Sequence, residues 1–343
     1  MSIGLLVAAT AYFNLITKPI QTLMGYVSIH NTATAAADRI FSILDQIPEI
    51  KDRKNAKSLE NVNGTIEYSK VTFGYGSSKL ILKDISFKAN PGEPVAIIGP
   101  SGVGKTTLVH LLPRFYDVIE GNITIDDVDI RDIQLKSLRK HIGIVMQNVF
   151  LFNGTIAENI KYGKEDATME EIENAAKIAQ LHTFVCSLPQ GYNTEIGERG
   201  VKLSGGQAQR ISIARVIITN PKILILDEPT ANVDAITDSE LMKAVRAVLK
   251  GRTTLIIAHR FWTVKNADRL VLLKEGKVEA IGSHEELMKS SQFYRDFFAS
   301  QFREEKATTL ETSQETTQKN VEDENLDSIQ DNLNYNESNN GEK

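Results

Sequence analysis

The feature that most constrains the fold is a glycine-rich segment, Gly-Pro-Ser-Gly-Val-Gly-Lys-Thr, at residues 99–106. It follows a short apolar run at residues 95–98 and precedes a helical pattern at residues 107–112. Glycines at such a junction let backbone N–H groups surround phosphate groups, and the following helix points the positive end of its dipole at them. The segment therefore predicts a P-loop, which binds nucleotide phosphates, within an α/β fold.

Two side chains of this loop carry the expected chemistry. Lys105 would pair with the β- and γ-phosphates of a nucleoside triphosphate, and the Thr106 hydroxyl would ligate Mg²⁺. The other residues that we expect to contact the nucleotide here are Gly99, Pro100, Ser101, Gly102, Val103, Gly104 and Thr107.

Two more apolar runs end in polar side chains that suit such a site. Residues 223–226 are followed by Asp227 and Glu228, and residues 254–258 are followed by His259. Ligands of open α/β sheets bind at the carboxyl ends of the parallel strands. We therefore expect Asp227 to ligate Mg²⁺, Glu228 to polarise the attacking water as the catalytic base, and His259 to contact the γ-phosphate.

The wider pattern of the chain supports the same fold class. Apolar runs without polar alternation, separated by helical patterns, predict parallel strands that are covered on both faces. A partly alternating run at residues 65–73 predicts a further strand, and residues 80–89, after a glycine-rich turn, predict another; residues 270–281 predict a hairpin. The expected fold is α/β, of the P-loop NTPase type.

Charge and cysteine content limit the kinds of partner and of covalent chemistry that the chain supports. The net charge is −5, but residues 304–343 hold eleven acidic and three basic residues, a balance of −8, so the other residues carry +3. That near-neutral body gives no case for nucleic-acid binding. The polar, acidic tail is expected to be disordered. The single cysteine, Cys186, excludes an intramolecular disulfide, and we expect a packed side chain rather than a catalytic thiol.

The segment Leu-Ser-Gly-Gly-Gln at residues 203–207 points to one family. It resembles the signature of ABC transporter nucleotide-binding domains, which combine it with the motifs above in the same order. Ser204 is expected to be the N-cap of a helix that includes residues 207–218. The resemblance implies that this helix end faces the γ-phosphate held by the other subunit, so that each ATP lies across a dimer interface. The contacting residues would be Ser204, Gly205, Gly206 and Gln207.

The resemblance assigns roles to further residues. Tyr75 resembles the aromatic residue that stacks on adenine, with an ordinary surface turn as the alternative. Gln147 resembles the glutamine that contacts Mg²⁺ and the attacking water. Asp234 ends the segment Ala-Asn-Val-Asp, which stands where Ser-Ala-Leu-Asp is commoner, and Ala208 stands where arginine is frequent. Residues 194–200 resemble the X-loop of ABC exporters, which meets the coupling helices of the membrane domain.

The N-terminal segment is apolar over residues 3–17, with Asn14, Lys18 and Pro19 interrupting its continuation. Because a membrane span takes about 20 apolar residues, the segment predicts part of a membrane helix, with a soluble amphipathic helix as the alternative. No basic residue precedes the run, which disfavours a signal peptide. Residues 13–41 resemble the cytoplasmic half of the last transmembrane helix of a type IV exporter and its connection to the ATPase.

These resemblances imply an organisation in four regions. Residues 1–45 would be the remnant of the last transmembrane helix with its cytoplasmic extension, and residues 46–63 a linker. Residues 64–302 would be the ABC ATPase domain, with a parallel core sheet, an antiparallel β subdomain and a helical subdomain that carries the signature. Residues 303–343 would be the disordered acidic tail.

The expected function is ATP binding and hydrolysis that powers export, with ATP and Mg²⁺ bound at the cytoplasmic face of the cell membrane. The expected partners are a second ABC ATPase domain (a homodimer or a close paralogue), an exporter's transmembrane domain and the membrane, but no nucleic acid. We expect the chain to derive from a longer exporter gene. The alternatives are a free-standing ATPase subunit, a soluble ABC ATPase of the DNA-repair or translation type, and an inactive exporter fragment.

Overall fold

The computed structural model describes residues 2–76, 79–197, 200–227, 235–258 and 260–301. The chain divides between Lys51 and Asp52 into two compact units. The first unit contains one long helix, and the second contains the sheets and the other described helices.

The helices of the described residues are, in chain order, α1 (Ile3–Leu44), α2 (Lys105–Leu111), α3 (Leu135–Lys140), α4 (Ile156–Lys161), α5 (Met169–Ile178), α6 (His182–Ser187), α7 (Gly205–Thr219), α8 (Ala235–Leu249), α9 (Phe261–Asn266), α10 (His284–Ser290) and α11 (292–301). The strands are β1 (Ile66–Phe73), β2 (Leu82–Ala89), β3 (Pro94–Ile98), β4 (Glu120–Ile125), β5 (Val128–Asp129), β6 (Ile142–Val145), β7 (Gly154–Thr155), β8 (Glu195–Ile196), β9 (Ile223–Asp227), β10 (Thr253–Ile257), β11 (Arg269–Lys274) and β12 (Lys277–Gly282).

Helix α1 is continuous over 42 residues, with Pro19 inside it. The polar interruption of the apolar run therefore does not break the helix. Proline removes one backbone donor, and the hydroxyls of two threonines, one on either side of Pro19, bond to carbonyls that precede it. Thr17 donates to Asn14 O at 3.4 Å, and Thr22 donates to Lys18 O at 3.0 Å. No residue of α1 is buried, and by length and composition this helix is able to cross a membrane.

Six strands form the central sheet, in the order β12-β11-β3-β10-β9-β6. All but β12 are parallel, and β12 pairs antiparallel with β11 to form the predicted hairpin. Successive residues of these strands enter different cores: on β9, Ile223 and Ile225 join one hydrophobic cluster, and Leu224 and Leu226 join another. Burial on both faces explains why the strands are apolar without alternation. The predicted α/β class is confirmed.

Two further layers share these cores. The antiparallel sheet β2-β1-β4-β5 places residues such as Ile66 and Tyr68 in one cluster with Val95 and Ile97 of β3. Helices α4 to α8 supply most of the second cluster, together with the inner residues of β6 and β9. These layers match the antiparallel and helical subdomains that the resemblance implies.

Cys186 lies on α6 and is exposed, so the expectation of a packed side chain is wrong. On this six-residue helix Val185 is the buried residue. Adjacent helical positions point about 100° apart, so the position after Val185 faces solvent.

Residues 52–59, which we call the docked linker, lie along α3. The Asp52 carboxylate accepts a hydrogen bond of 2.7 Å from the backbone N–H of Leu135, 83 positions later, at the first residue of a helix whose own N-cap side chain makes no such bond. The backbone N–H of Leu59 donates to Ser137 Oγ at 2.8 Å. The docked linker therefore caps α3 from outside the helix.

Replacing Asp52 with alanine removes this cap. We expect Asp52→Ala to lower the free energy of unfolding by about 1 kcal/mol, the usual effect of losing a helix cap, as measured by urea denaturation. Asp52→Asn keeps an acceptor oxygen and should retain most of that stability. Glu60→Ala, which removes an exposed carboxylate just beyond the docked linker, is the control. Equal losses in Asp52→Ala and Glu60→Ala would contradict the capping role.

Candidate nucleotide-binding site

The predicted P-loop connects the end of β3 to the start of α2. Its glycines take conformations that L-residues rarely adopt: φ is +146° at Gly99, +76° at Gly102 and +106° at Gly104. A Cβ atom at Gly99 would lie 2.5 Å from the backbone oxygen of Leu273 on the neighbouring β11, a distance that real Cβ atoms do not show. The loop can thus fold back against the sheet only because this position has no side chain.

Lys105 is buried at the start of α2, with 7% of its surface exposed. Its ammonium donates to the backbone oxygens of Gly99 at 2.9 Å and Pro100 at 3.1 Å. The cation therefore lies inside the curve of its own loop, next to the space that phosphate groups would need. Thr106, the next residue, is exposed.

The carboxyl ends of four parallel strands meet at one edge of the central sheet. Asp227 is the last residue of β9 and is in register with Ile257 of β10, which in turn neighbours β3 and the P-loop. On the other side, Val145 of β6 is in register with Leu226, so the segment leading to Gln147 begins at the same edge. Gln147 itself is exposed. The structure thus brings the P-loop, Asp227 and the approach to Gln147 together.

His110 on α2 is a residue of this edge that the sequence patterns did not indicate. Its Nε2 atom is buried, has no hydrogen-bond partner among the described residues, and lies 4.0 Å from Asp227 Oδ2. Burial lowers the pKa of the His110 imidazole below its usual value. No signal in the sequence distinguishes His110 from the other residues of α2, because its relation to Asp227 arises from packing.

Tyr75 contacts the P-loop helix directly. Its hydroxyl lies 3.2 Å from the Thr107 hydroxyl, and its side chain is 47% exposed. Phe73 and Tyr116 pack against the ring, each with centroids 5.1 Å from that of Tyr75. Tyr116 is a second residue that the sequence patterns did not indicate.

The signature segment begins helix α7, as predicted. Ser204 is the N-cap: its Oγ accepts from Gln207 N at 3.2 Å, and the Gln207 side-chain oxygen accepts from Ser204 N at 2.9 Å. Ser204 and Gly205 are exposed, whereas Gly206 is buried. The helix N-terminus is therefore preformed and open at its first residues.

A buried side chain on α7 links the signature helix to the segment before Gln147. Gln209 Nε2 donates to the backbone oxygen of Met146, the residue before Gln147, at 3.2 Å. Sequence reasoning missed Gln209 because a glutamine in a polar helical turn is ordinary. Glu228, His259 and Asp234 lie outside the described residues, so their predicted roles stay predictions.

The donors at the sheet edge fit Mg²⁺. Thr106 and Asp227 offer a hydroxyl and a carboxylate, which are the hard oxygen ligands that this ion prefers. Within the described ranges, no group of three or more His, Cys, Asp or Glu side chains could hold a metal by itself.

Comparisons with known proteins agree with this geometry. Residues 82–231 match the family model described as ABC transporter. The putative multidrug export ATP-binding/permease protein YgaD of Bacillus subtilis is 45% identical over 302 residues, which is 88% of this chain and 52% of that protein. This chain belongs to the ABC transporter family. It contains the nucleotide-binding domain of the exporter type, and the predicted ATP-binding function is confirmed at that level.

Two other matches have similar identity and coverage. An ATP-dependent lipid A-core flippase of Desulfotalea psychrophila is 49% identical over 277 residues, 81% of this chain and 48% of that protein. The solved structure of a bacterial Atm1-family ABC exporter with ATP bound shares 41% identity, with a TM-score of 0.74 over 88% of this chain and 52% of that one. The ABC chain described here thus spans about half the length of the relatives it matches.

The names of these relatives favour the exporter class over the soluble ATPase classes considered from the sequence. They describe export and flipping across membranes, which gives no support to a DNA-repair or translation ATPase. A match of 302 residues is also longer than the segment 45–343 that follows α1, so it includes part of α1.

The close approach at Gly99 gives a direct test of the P-loop. Gly99→Ala should abolish detectable ATP binding and cost about 2–3 kcal/mol of stability, because the new methyl group would collide with the backbone of β11. Gly92→Ala is a matched control: its φ is +76°, but open space surrounds the position. It should cost only about 1 kcal/mol and leave ATP binding intact. Thermal unfolding and calorimetric titration with Mg·ATP would measure both, and equal losses would contradict the steric argument.

Proposed function

We propose that this chain binds and hydrolyses Mg·ATP at an interface with a second ABC ATPase domain, and that the cycle powers export through a transmembrane domain. The observation that carries the proposal is the convergence of the P-loop, Asp227 and the segment before Gln147 on one sheet edge. The names of the relatives support the exporter class, but they describe different cargoes. We therefore assign no cargo to this chain.

The phosphate-binding residues have distinct tasks in this proposal. Lys105 would replace its hydrogen bonds to the loop carbonyls with bonds to the β- and γ-phosphates. The desolvation cost of this exchange would be small, because the Lys105 ammonium is buried within the loop. Thr106 and Asp227 would hold Mg²⁺. That ion supplies charge neutralisation on the transferred phosphoryl group. Tyr75 would stack on the adenine ring.

Hydrolysis also requires a group that accepts a proton from the attacking water. Glu228 is the proposed base, because it follows Asp227 directly at the carboxyl end of a buried strand. Gln147 would orient the water, and His259 would contact the γ-phosphate. Asp234 would complete the nucleotide-binding surface near the interface.

The second half of each site would come from the other domain. The exposed, capped start of α7 supports this role, because its first N–H groups are open to an anion. Both half-sites have intact motifs in this chain, which favours a symmetric homodimer, with a close paralogue as the alternative partner. The bond from Gln209 to Met146 would couple the signature helix to the segment that leads to Gln147.

An exposed aromatic patch supports a membrane-domain partner. The patch consists of Phe150, Phe152 and Tyr162, with 69%, 37% and 68% of their surfaces exposed. Phe152 stacks on Tyr162 at 4.1 Å between ring centroids, and the Arg215 guanidinium lies 5.4 Å from the Phe152 ring. Clustered exposed aromatic rings are typical of interaction sites. Because the patch follows Gln147 in the chain, a segment docked there would act on the nucleotide site.

Replacing the proposed base separates binding from turnover. Glu228→Gln should bind ATP with near wild-type affinity and lose phosphate release by at least about 100-fold, the contribution of a general base. Because hydrolysis no longer resets it, this variant should accumulate as an ATP-bound dimer on size-exclusion chromatography. Unchanged phosphate release in Glu228→Gln would contradict the assignment.

The same trapped dimer tests the role of the signature. Gly205→Asp, added to Glu228→Gln, places a negative charge at the first residue of α7. The helix dipole tolerates that charge, but the charge would repel the γ-phosphate bound by the other chain. We expect this double variant to bind ATP and remain monomeric. Lys105→Ala should lose ATP binding itself. If Gly205→Asp dimerised normally with ATP, the two-chain site would be wrong.

The exposed apolar surface of α1 predicts membrane association. The chain should sediment with liposomes made from bacterial lipid extract, whereas a variant lacking residues 1–45 should stay in the supernatant and still bind ATP. The physical reason is the burial of the apolar side chains of α1 in the hydrocarbon layer. Sedimentation of both forms to the same extent would show that α1 is not the anchor.

A further inference from the structure

An aromatic ring beside the proposed adenine site has no role in the mechanism so far. Tyr116 lies in the turn between α2 and β4, and its side chain is 40% exposed. Its ring packs against Tyr75 at 5.1 Å and 81°, and against Phe73 at 5.6 Å and 50°. Tyr116 is absent from the buried core clusters, and its ring contacts among the described residues are with these two rings.

The turn that carries Tyr116 is held firmly. Arg114, which is 3% exposed and has a φ of +53°, binds Asp117 through two hydrogen bonds of 2.7 and 3.0 Å. The guanidinium of Arg139 donates to the backbone oxygens of Pro113 and Arg114, both at 3.1 Å. Bidentate arginine pairs fix geometry as well as contributing energy. The position of Tyr116 is therefore set by buried and charged groups on both sides of it.

Tyr75 is held at two places. Its hydroxyl lies 3.2 Å from the Thr107 hydroxyl, and its ring packs against Phe73 and Tyr116. The interplanar angles of 87° and 81° make both ring contacts edge-to-face. Among the rings of the described residues, none is stacked parallel to Tyr75. This arrangement fixes the ring and leaves it able to receive a flat, parallel-stacked partner.

We propose that Tyr116 is a positioning residue for nucleobase binding: it holds Tyr75 in the orientation that stacks on adenine. This proposal rests on the proposed function, in which Tyr75 binds the base. It predicts that Tyr116 affects the adenosine part of the ligand and not the phosphate part. A purely structural role would disturb α2, and with it both parts.

The experiment compares two ligands, Mg·ATP and Mg·tripolyphosphate, on the full chain by calorimetric titration. Tripolyphosphate carries the phosphate groups without a base, so the ratio of the two Kd values reports the contribution of adenosine. Tyr116→Ala should weaken ATP binding roughly 3- to 10-fold, the range expected for one aromatic pair, and leave the Kd for tripolyphosphate unchanged. Tyr116→Phe keeps the ring and should bind both ligands like the wild type.

A double-variant comparison tests whether Tyr116 acts through Tyr75. Tyr75→Ala should weaken ATP binding more than Tyr116→Ala does, and the combined variant should lose nothing further, because the positioned ring is already gone. Ile119→Ala is the control, since it removes an exposed apolar side chain of the same segment without a ring. Tyr116→Leu, which keeps apolar bulk, should behave like Tyr116→Ala and covers the case in which the alanine variant unfolds.

Each contrary outcome has a distinct meaning. Equal weakening for ATP and tripolyphosphate in Tyr116→Ala would assign Tyr116 a structural role and overturn the inference, as would an unchanged ATP affinity. Additive losses in the combined variant would show that Tyr116 does not act through Tyr75. If Tyr75→Ala bound ATP like the wild type, or the wild type bound neither ligand, the proposed function itself would fail, and the inference with it.

Discussion

Burial on both faces of the central sheet is the constraint on which the rest of the structure depends. Along β3 and β9, neighbouring residues alternate between separate hydrophobic cores, so a shift by one residue would exchange the side chains of two cores and disturb the packing of both. Fixed strands end at fixed points, and those ends carry the P-loop, Asp227 and the segment before Gln147. The packing of these strands therefore sets the position of the site at their ends.

The fold itself positions the groups that would bind phosphate at this edge. Lys105 is already buried inside its loop, and the glycine conformations that make room for it depend on contact with β11. Preorganisation of this kind reduces the reorganisation needed when phosphate groups arrive. The start of α7 is prepared in the same way, through the reciprocal bonds between Ser204 and Gln207.

Features that depend on local sequence could be predicted, and those that depend on packing could not. The strand ending at Asp227 and the helix starting after Ser204 were predictable, because periodicity and capping are local properties. Helix α1 continues through Pro19, although the apolar run there is interrupted. Cys186 is exposed because its neighbour takes the buried position. His110, Gln209 and Tyr116 gain their significance only from residues that are distant in sequence, so no local signal marks them.

The docked linker has a mechanical consequence. Any force that reaches the ATPase along the polypeptide from α1 must pass through residues 52–59, which are hydrogen-bonded to α3 as well as continuous with β1. Load is thereby divided between two strands, because α3 leads directly into β6, the strand before Gln147. A pull on α1 would therefore reach the segment before Gln147 through a few hydrogen bonds, without crossing the core of the central sheet.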